Sequence, residues 1–179
     1  MKTKLKIGML LLAIIMALGA ISLTSCSNDD NLWPDDLILP EDEILGSEIY
    51  MFKYKEEYTY LREIIGVTPS PDEDYISSQY PGFYSKSYRT NLGDIVITTP
   101  KISVIAKDDM EIDNIIQKFG DKLTFKKTIG KAYIYNCNVE NSDEVMRIVT
   151  KLAKDKRVIG CEAMYIANIE LNTNSPYSL

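Results

Sequence analysis

Residues 94–120 read DIVITTPKISVIAKDDMEIDNIIQKFG, and the hydrophobic period changes part-way along them. Up to Ala106 the run is rich in Val, Ile and Thr, as strands are, with Pro100 interrupting it near an edge or bend. From Asp108 the apolar residues return as Ile112, Ile115, Ile116 and Phe119, at i, i+3, i+4 and i+7, which is one face of a helix. Asp108 and Glu111 have the N-cap and N3 spacing of a capping box, with aspartate in place of serine. Gly120 then stops the helix as its C′ residue.

The chain downstream repeats this logic. LTFKKT (123–128) and KAYIYNCNV (131–139) predict two strands turned around Ile129-Gly130. Asn141 and Glu144 give a second N-cap/N3 pair, followed by Val145, Ile148, Val149 and Leu152 on one helical face. Four such side chains contribute roughly 6–12 kcal/mol per helix on burial, at about 1.5–3 each, provided both helices share one sheet face. VIGCEAMYIANIEL (158–171) predicts a closing strand. The order βαββαβ predicts an α+β fold: a ferredoxin-like sandwich with an antiparallel sheet of order 4-1-3-2 and two helices on one face. The other face is left open.

Working back from Asp94, residues 67–94 carry Pro69, Pro71, Pro81 and Gly82 with no period, and five rings: Tyr75, Tyr80, Phe83, Tyr84 and Tyr88. This Tyr-rich loop either offers a contact surface or folds back over the domain's own sheet. EIYMFKYKEEYTYL (48–61) alternates aromatics and charges around Lys55-Glu56-Glu57 and predicts a β-hairpin. Ser27 to Ser47 holds seven acids, no base, and Pro34 and Pro40, the composition of a tether.

At the N-terminus, Lys2, Lys4 and Lys6 precede an apolar run from Ile7 to about Leu23, the form of a secretory signal. A spanning anchor needs ~20 apolar residues, and Gly8, Gly19 and Ser22 soften this run. Leu23-Thr24-Ser25-Cys26 resembles the lipobox of bacterial lipoproteins, which implies that Cys26 becomes an acylated N-terminus held at the membrane. The alternative is an ordinary signal peptide with an incidental cysteine. The resemblance, with serine after Cys26, implies outer-membrane sorting. Asp29 and Asp30 resemble the surface-export signal of Bacteroidota lipoproteins; equally, the acids keep a linker soluble. The expected division is 1–25 signal, 26–47 lipidated tether, 48–100 hairpin and Tyr-rich segment, 101–171 ferredoxin-like domain and 172–179 tail.

Composition narrows the function classes. Twenty basic against 26 acidic residues give a net charge of −6, and loss of the signal removes three lysines and no acid. Nucleic acid is therefore not an expected partner, since it requires clustered Lys and Arg. The chain has no histidine, which removes Ser-His-Asp and Cys-His nucleophile arrangements and histidine-based zinc sites. Gly120, Gly130 and Gly160 stand alone rather than in a phosphate-cradling loop. Neither an enzyme, a metal nor a cofactor is expected. Cys137 and Cys161 fall on strands 3 and 4 with strand 1 between. Two strand spacings of about 10 Å exceed the ~7 Å limit for a disulfide, so both are expected as free thiols.

Residues 101–165 resemble the propeptide domain of subtilisin-family serine proteases. Val158-Ile159-Gly160-Cys161-Glu162-Ala163-Met164-Tyr165 is similar to that family's closing strand, with Cys161 where those domains have a small apolar residue. The 48–61 hairpin likewise resembles a segment before the propeptide in secreted proteases of the Bacteroidota. The resemblance implies a protease partner docked on an apolar open sheet face. It places the tail residues Pro176, Tyr177, Ser178 and Leu179 in the protease cleft; the alternative for them is a frayed terminus. Two functions thus stand as expectations. One is a lipid-anchored, non-catalytic binding module of the envelope; the other is a subtilisin inhibitor or propeptide-like chaperone.

Overall fold

The computed structural model describes residues 39–40, 43–55, 57–65 and 71–167. Seven strands and three short helices make it up: β1 (Ile44–Tyr54), β2 (Glu57–Ile65), α1 (Pro71–Gln79), β3 (Ser87–Thr90), β4 (Ile95–Ala106), α2 (Ile112–Ile116), β5 (Leu123–Ile129), β6 (Ala132–Cys137), α3 (Ser142–Ala153) and β7 (Val158–Ala167). All pairings between strands are antiparallel, in the order β3-β2-β1-β7-β4-β6-β5, and β3 also pairs with β4.

That additional pairing overturns the expected fold class. An open ferredoxin-like sandwich does not form. The structure is mostly β: β1, β2, β3, β4 and β7 close into a five-stranded barrel, with β6 and β5 as two outer strands. The cause is the length of β4. Its first half pairs with β3 (Tyr88↔Val96) and with the end of β7 (Thr98↔Tyr165), while its second half pairs with β6 (Ile102↔Tyr135). A register shift between Thr98 and Ile102 lets β4 bend from one partner set to the other. The hairpin is therefore part of the same sheet, not a segment preceding it. Closure also removes the edges that β3 and β4 would otherwise expose.

The Tyr-rich segment is more ordered than its lack of period implies, since it holds α1 and β3. Its rings divide: Phe83 and Tyr88 are buried, whereas Tyr75 and Tyr84 are exposed. The turn from β3 to β4 is pinned by Thr90, whose Oγ1 accepts from the Leu92 and Asp94 amides, and by Asn91, whose Oδ1 accepts from the Tyr60 amide. Gly93 supplies the positive φ of 94° that the turn requires.

The helix from Asp108 is shorter and tighter than predicted. Two 3₁₀ turns, Asp109–Glu111 and Gln117–Lys122, flank only five α residues. Asp108 caps it by accepting from the Met110 amide at 3.0 Å. Glu111 does not complete a capping box; it accepts from Arg157 Nη1 at 2.9 Å instead. α3 follows its sequence closely: Asn141 Oδ1 accepts from the Glu144 amide at 3.0 Å, and the whole Val145–Leu152 stripe is buried. Met146 and Ala153 widen that stripe, and α3 packs across β1, β4 and β7. Thr150 Oγ1 accepts from the Met51 amide at 3.1 Å, which fixes α3 to β1. Cys137 and Cys161 are free and buried, on β6 and β7 with β4 between, as the spacing argument requires.

Candidate functional site

A barrel strand alternates inward and outward, so its inner residues follow from the register. Tyr54↔Glu57, Phe52↔Thr59, Tyr50↔Leu61, Leu61↔Thr90 and Tyr88↔Val96 all share one face, as does Tyr165 through Thr98. Near α3 this inner face is filled. Tyr50 and Tyr88 meet edge to face at 5.6 Å between centroids, and Leu61 is fully buried. Their phenols reach the start of α3: Tyr88 donates to Asp143 Oδ1 at 2.8 Å and Tyr50 to the same atom at 3.3 Å. Burial raises both phenol pKa values well above the ordinary range, so they remain donors.

At the other end the interior opens into a cavity of about 330 Å³. Phe52, Thr90 and Val96 form its buried floor. Phe52 stacks on Tyr165 with centroids 6.0 Å apart and planes 15° apart. Around the rim stand Tyr54, Leu92 and Tyr165, all exposed, with three acids: Glu57, Asp94 and Glu162. The surrounding protein desolvates the Glu162 carboxyl and raises its pKa above the usual carboxylate value. Tyr165 is raised first by burial and then by the charges of Glu162 and Asp94. Lys53 also lines the cavity, but its ammonium is engaged over the Tyr58 ring, 5.6 Å from the centroid. The rim is therefore predominantly anionic beside aromatic faces, a combination that attracts cations.

Among the described residues no cluster of Cys, Asp or Glu is arranged to hold a metal ion. Burial pushes the Cys137 and Cys161 thiols up to about 12, which keeps them protonated and unreactive. Cys26 and the tail residues Pro176, Tyr177, Ser178 and Leu179 lie outside the described residues. No helix among the described residues is long and apolar enough to cross a membrane.

None of the mouth residues was singled out by sequence as a site. One signal was present: in 48–61 the aromatics Tyr50, Phe52 and Tyr54 share one parity of β1, whereas Lys53 and Lys55 take the other. What the sequence does not display is that this parity faces a cavity completed by residues from four other strands and the β3–β4 turn. Comparison of the chain with family models, with curated proteins and with solved structures finds no match.

Proposed function

We propose that this chain is a lipid-anchored, non-catalytic binding module of the cell envelope, and that the barrel mouth is its ligand site. The observation that carries the reading is the placement of Glu57, Asp94 and Glu162 around the stacked Phe52 and Tyr165. A cavity of this size suits a small molecule or one side chain. Its chemistry favours a positively charged group on an apolar or flat body. The carboxylates hold the charge, and the rings hold the body. The proposed outer-membrane location rests on the lipobox-like Leu23–Cys26 and the acids after it.

The inhibitor reading requires an apolar sheet face opposite α3. That face carries Lys101, Ser103 and Asn136 beside Ile134, in register with one another, a mixed surface rather than an apolar one.

Titration calorimetry with lysine- and arginine-containing tripeptides, against matched glutamate tripeptides, tests the ligand class. Cationic peptides should bind and acidic ones should not. The double variant Asp94→Asn/Glu162→Gln should weaken binding at least tenfold, about 1.4 kcal/mol. Binding should also fall as salt shortens the Debye length, and as pH drops through the raised Glu162 pKa, where that carboxylate takes up a proton. Equal affinity for both peptide sets sinks the assignment. The anchor is tested separately: Cys26→Ser should abolish acyl labelling and release the protein from the membrane fraction.

A further inference from the structure

Among the described residues, closing the barrel leaves one end of the sheet unpaired. β5 has a single neighbour, β6, and every residue of it after Leu123 is exposed. A free edge offers a row of backbone donors and acceptors to any extended chain that lies beside it. Lysines commonly guard such edges, and Lys126 and Lys127 are here. They do not account for Phe125 and Ile129, each more than half exposed on the same strand. Nor do they account for the groove alongside, about 710 Å³, walled by Ile112, Ile116, Leu123, Phe125, Tyr133 and Tyr135.

The register sorts these features onto two faces. Phe125 pairs with Tyr135, on the side covered by α2, whereas Lys127 pairs with Ile134, on the opposite side. A strand added to β5 would thus send alternate side chains into the groove beside Phe125, and the others past Lys127 and Ile129, with Lys126 in the register shift between Phe125 and Lys127. A second copy is a poor occupant: antiparallel β5–β5 pairing brings the lysines of two chains together, and like charges across a ladder destabilise it. Asp113 stands on the helical wall of the groove, so positive charge borders the strand side alone.

We propose that β5 is a strand-addition site for an extended partner segment that alternates apolar and acidic residues. The segment pairs along the edge, its apolar side chains enter the groove, and its carboxylates meet Lys126 and Lys127. This site is independent of the barrel mouth.

The test uses the full chain in mild detergent and a capped heptapeptide alternating Glu and Leu, with a Lys/Leu heptapeptide as control. Hydrogen exchange should show the amides of 124–129 protected by the Glu/Leu peptide and not by the control. Phe125→Asp should weaken binding more than tenfold. The double charge reversal K126E/K127E, at exposed positions, should lose the Glu/Leu peptide and gain the Lys/Leu one. Asp94→Asn/Glu162→Gln, at the barrel mouth, should leave the protection of 124–129 by the Glu/Leu peptide as it is. Absence of protection at β5 overturns the proposal. So does binding that ignores the charge reversal, and so does a dimer formed through β5 that the peptide does not displace.

Discussion

Asp143 carries more of the structure than its place in the first turn of α3 implies. An acid there is favoured by the helix dipole alone. In the folded chain it also accepts from Tyr88 and Tyr50, and its other oxygen accepts from Lys86 Nζ at 2.6 Å, a lysine that in turn reaches Glu63 at 2.9 Å. One carboxylate thus joins β1, β3 and α3. Hydrogen bonds to a charged group contribute about 1.5–3 kcal/mol, and a buried donor left without its acceptor costs the desolvation penalty besides. Asp143→Ala should lower unfolding free energy by about 2–4 kcal/mol. Tyr88→Phe should cost nearer 1–1.5 kcal/mol, because it removes donor and demand together. Urea midpoints read both, with the slope unchanged. A smaller loss for Asp143→Ala than for Tyr88→Phe would show that the carboxylate is not the hub.

Among the elements, those whose specification is local were legible. α3 has its cap and its period within twelve residues, Asn141 to Leu152. The β5–β6 hairpin has Gly130 at a positive φ of 57°, where a two-residue turn needs it. α1 and β3 were not legible, because neither has a pattern of its own: β3 is four residues long, and its burial derives from β2 and β4 on either side. The link from α3 to β7 is also tertiary. Asp155 accepts from the Arg157 amide and guanidinium and from Lys118, while Arg157 reaches Glu111. The Arg157 hydrogen bonds hold the Asp155 carboxyl well below the usual carboxylate range. A depressed folded pKa stabilises above the unfolded value of about 3.9, and that contribution is lost as pH falls towards the folded value. Asp155→Asn should therefore cost about 1–2 kcal/mol at neutral pH, a figure kept low because Lys118 is largely in solvent. The difference from wild type should shrink below about pH 4. Denaturant midpoints at neutral and acid pH decide it; a gap constant with pH assigns the effect to packing.

At the scale of the whole molecule, barrel closure was beyond the reach of pattern because it depends on pairs distant in sequence. Lys53 meets Cys161, and Arg62 meets Arg89. The period of residues 94–120 correctly places a strand before a helix, but cannot show that the strand serves two partner sets. The same closure decides whether 101–171 is a domain. The described residues fall in one compact unit, and a cut at 100 divides β4 itself. It strips from α3 and β7 the cover of Tyr50, Phe52, Leu61 and Tyr88, all buried against one core. At about 1.5–3 kcal/mol for each large apolar side chain, the loss is on the order of 6–12 kcal/mol. A domain's entire stability is about 5–15 kcal/mol. The fragment 101–179 should accordingly be unfolded at neutral pH, with collapsed amide dispersion and early proteolysis, whereas residues 39–179 should unfold in a single transition. A cooperatively folded 101–179 fragment would mean that the ferredoxin-like half stands alone and that the barrel was assembled upon it; an unfolded one makes the hairpin and the mouth it builds inseparable from the core.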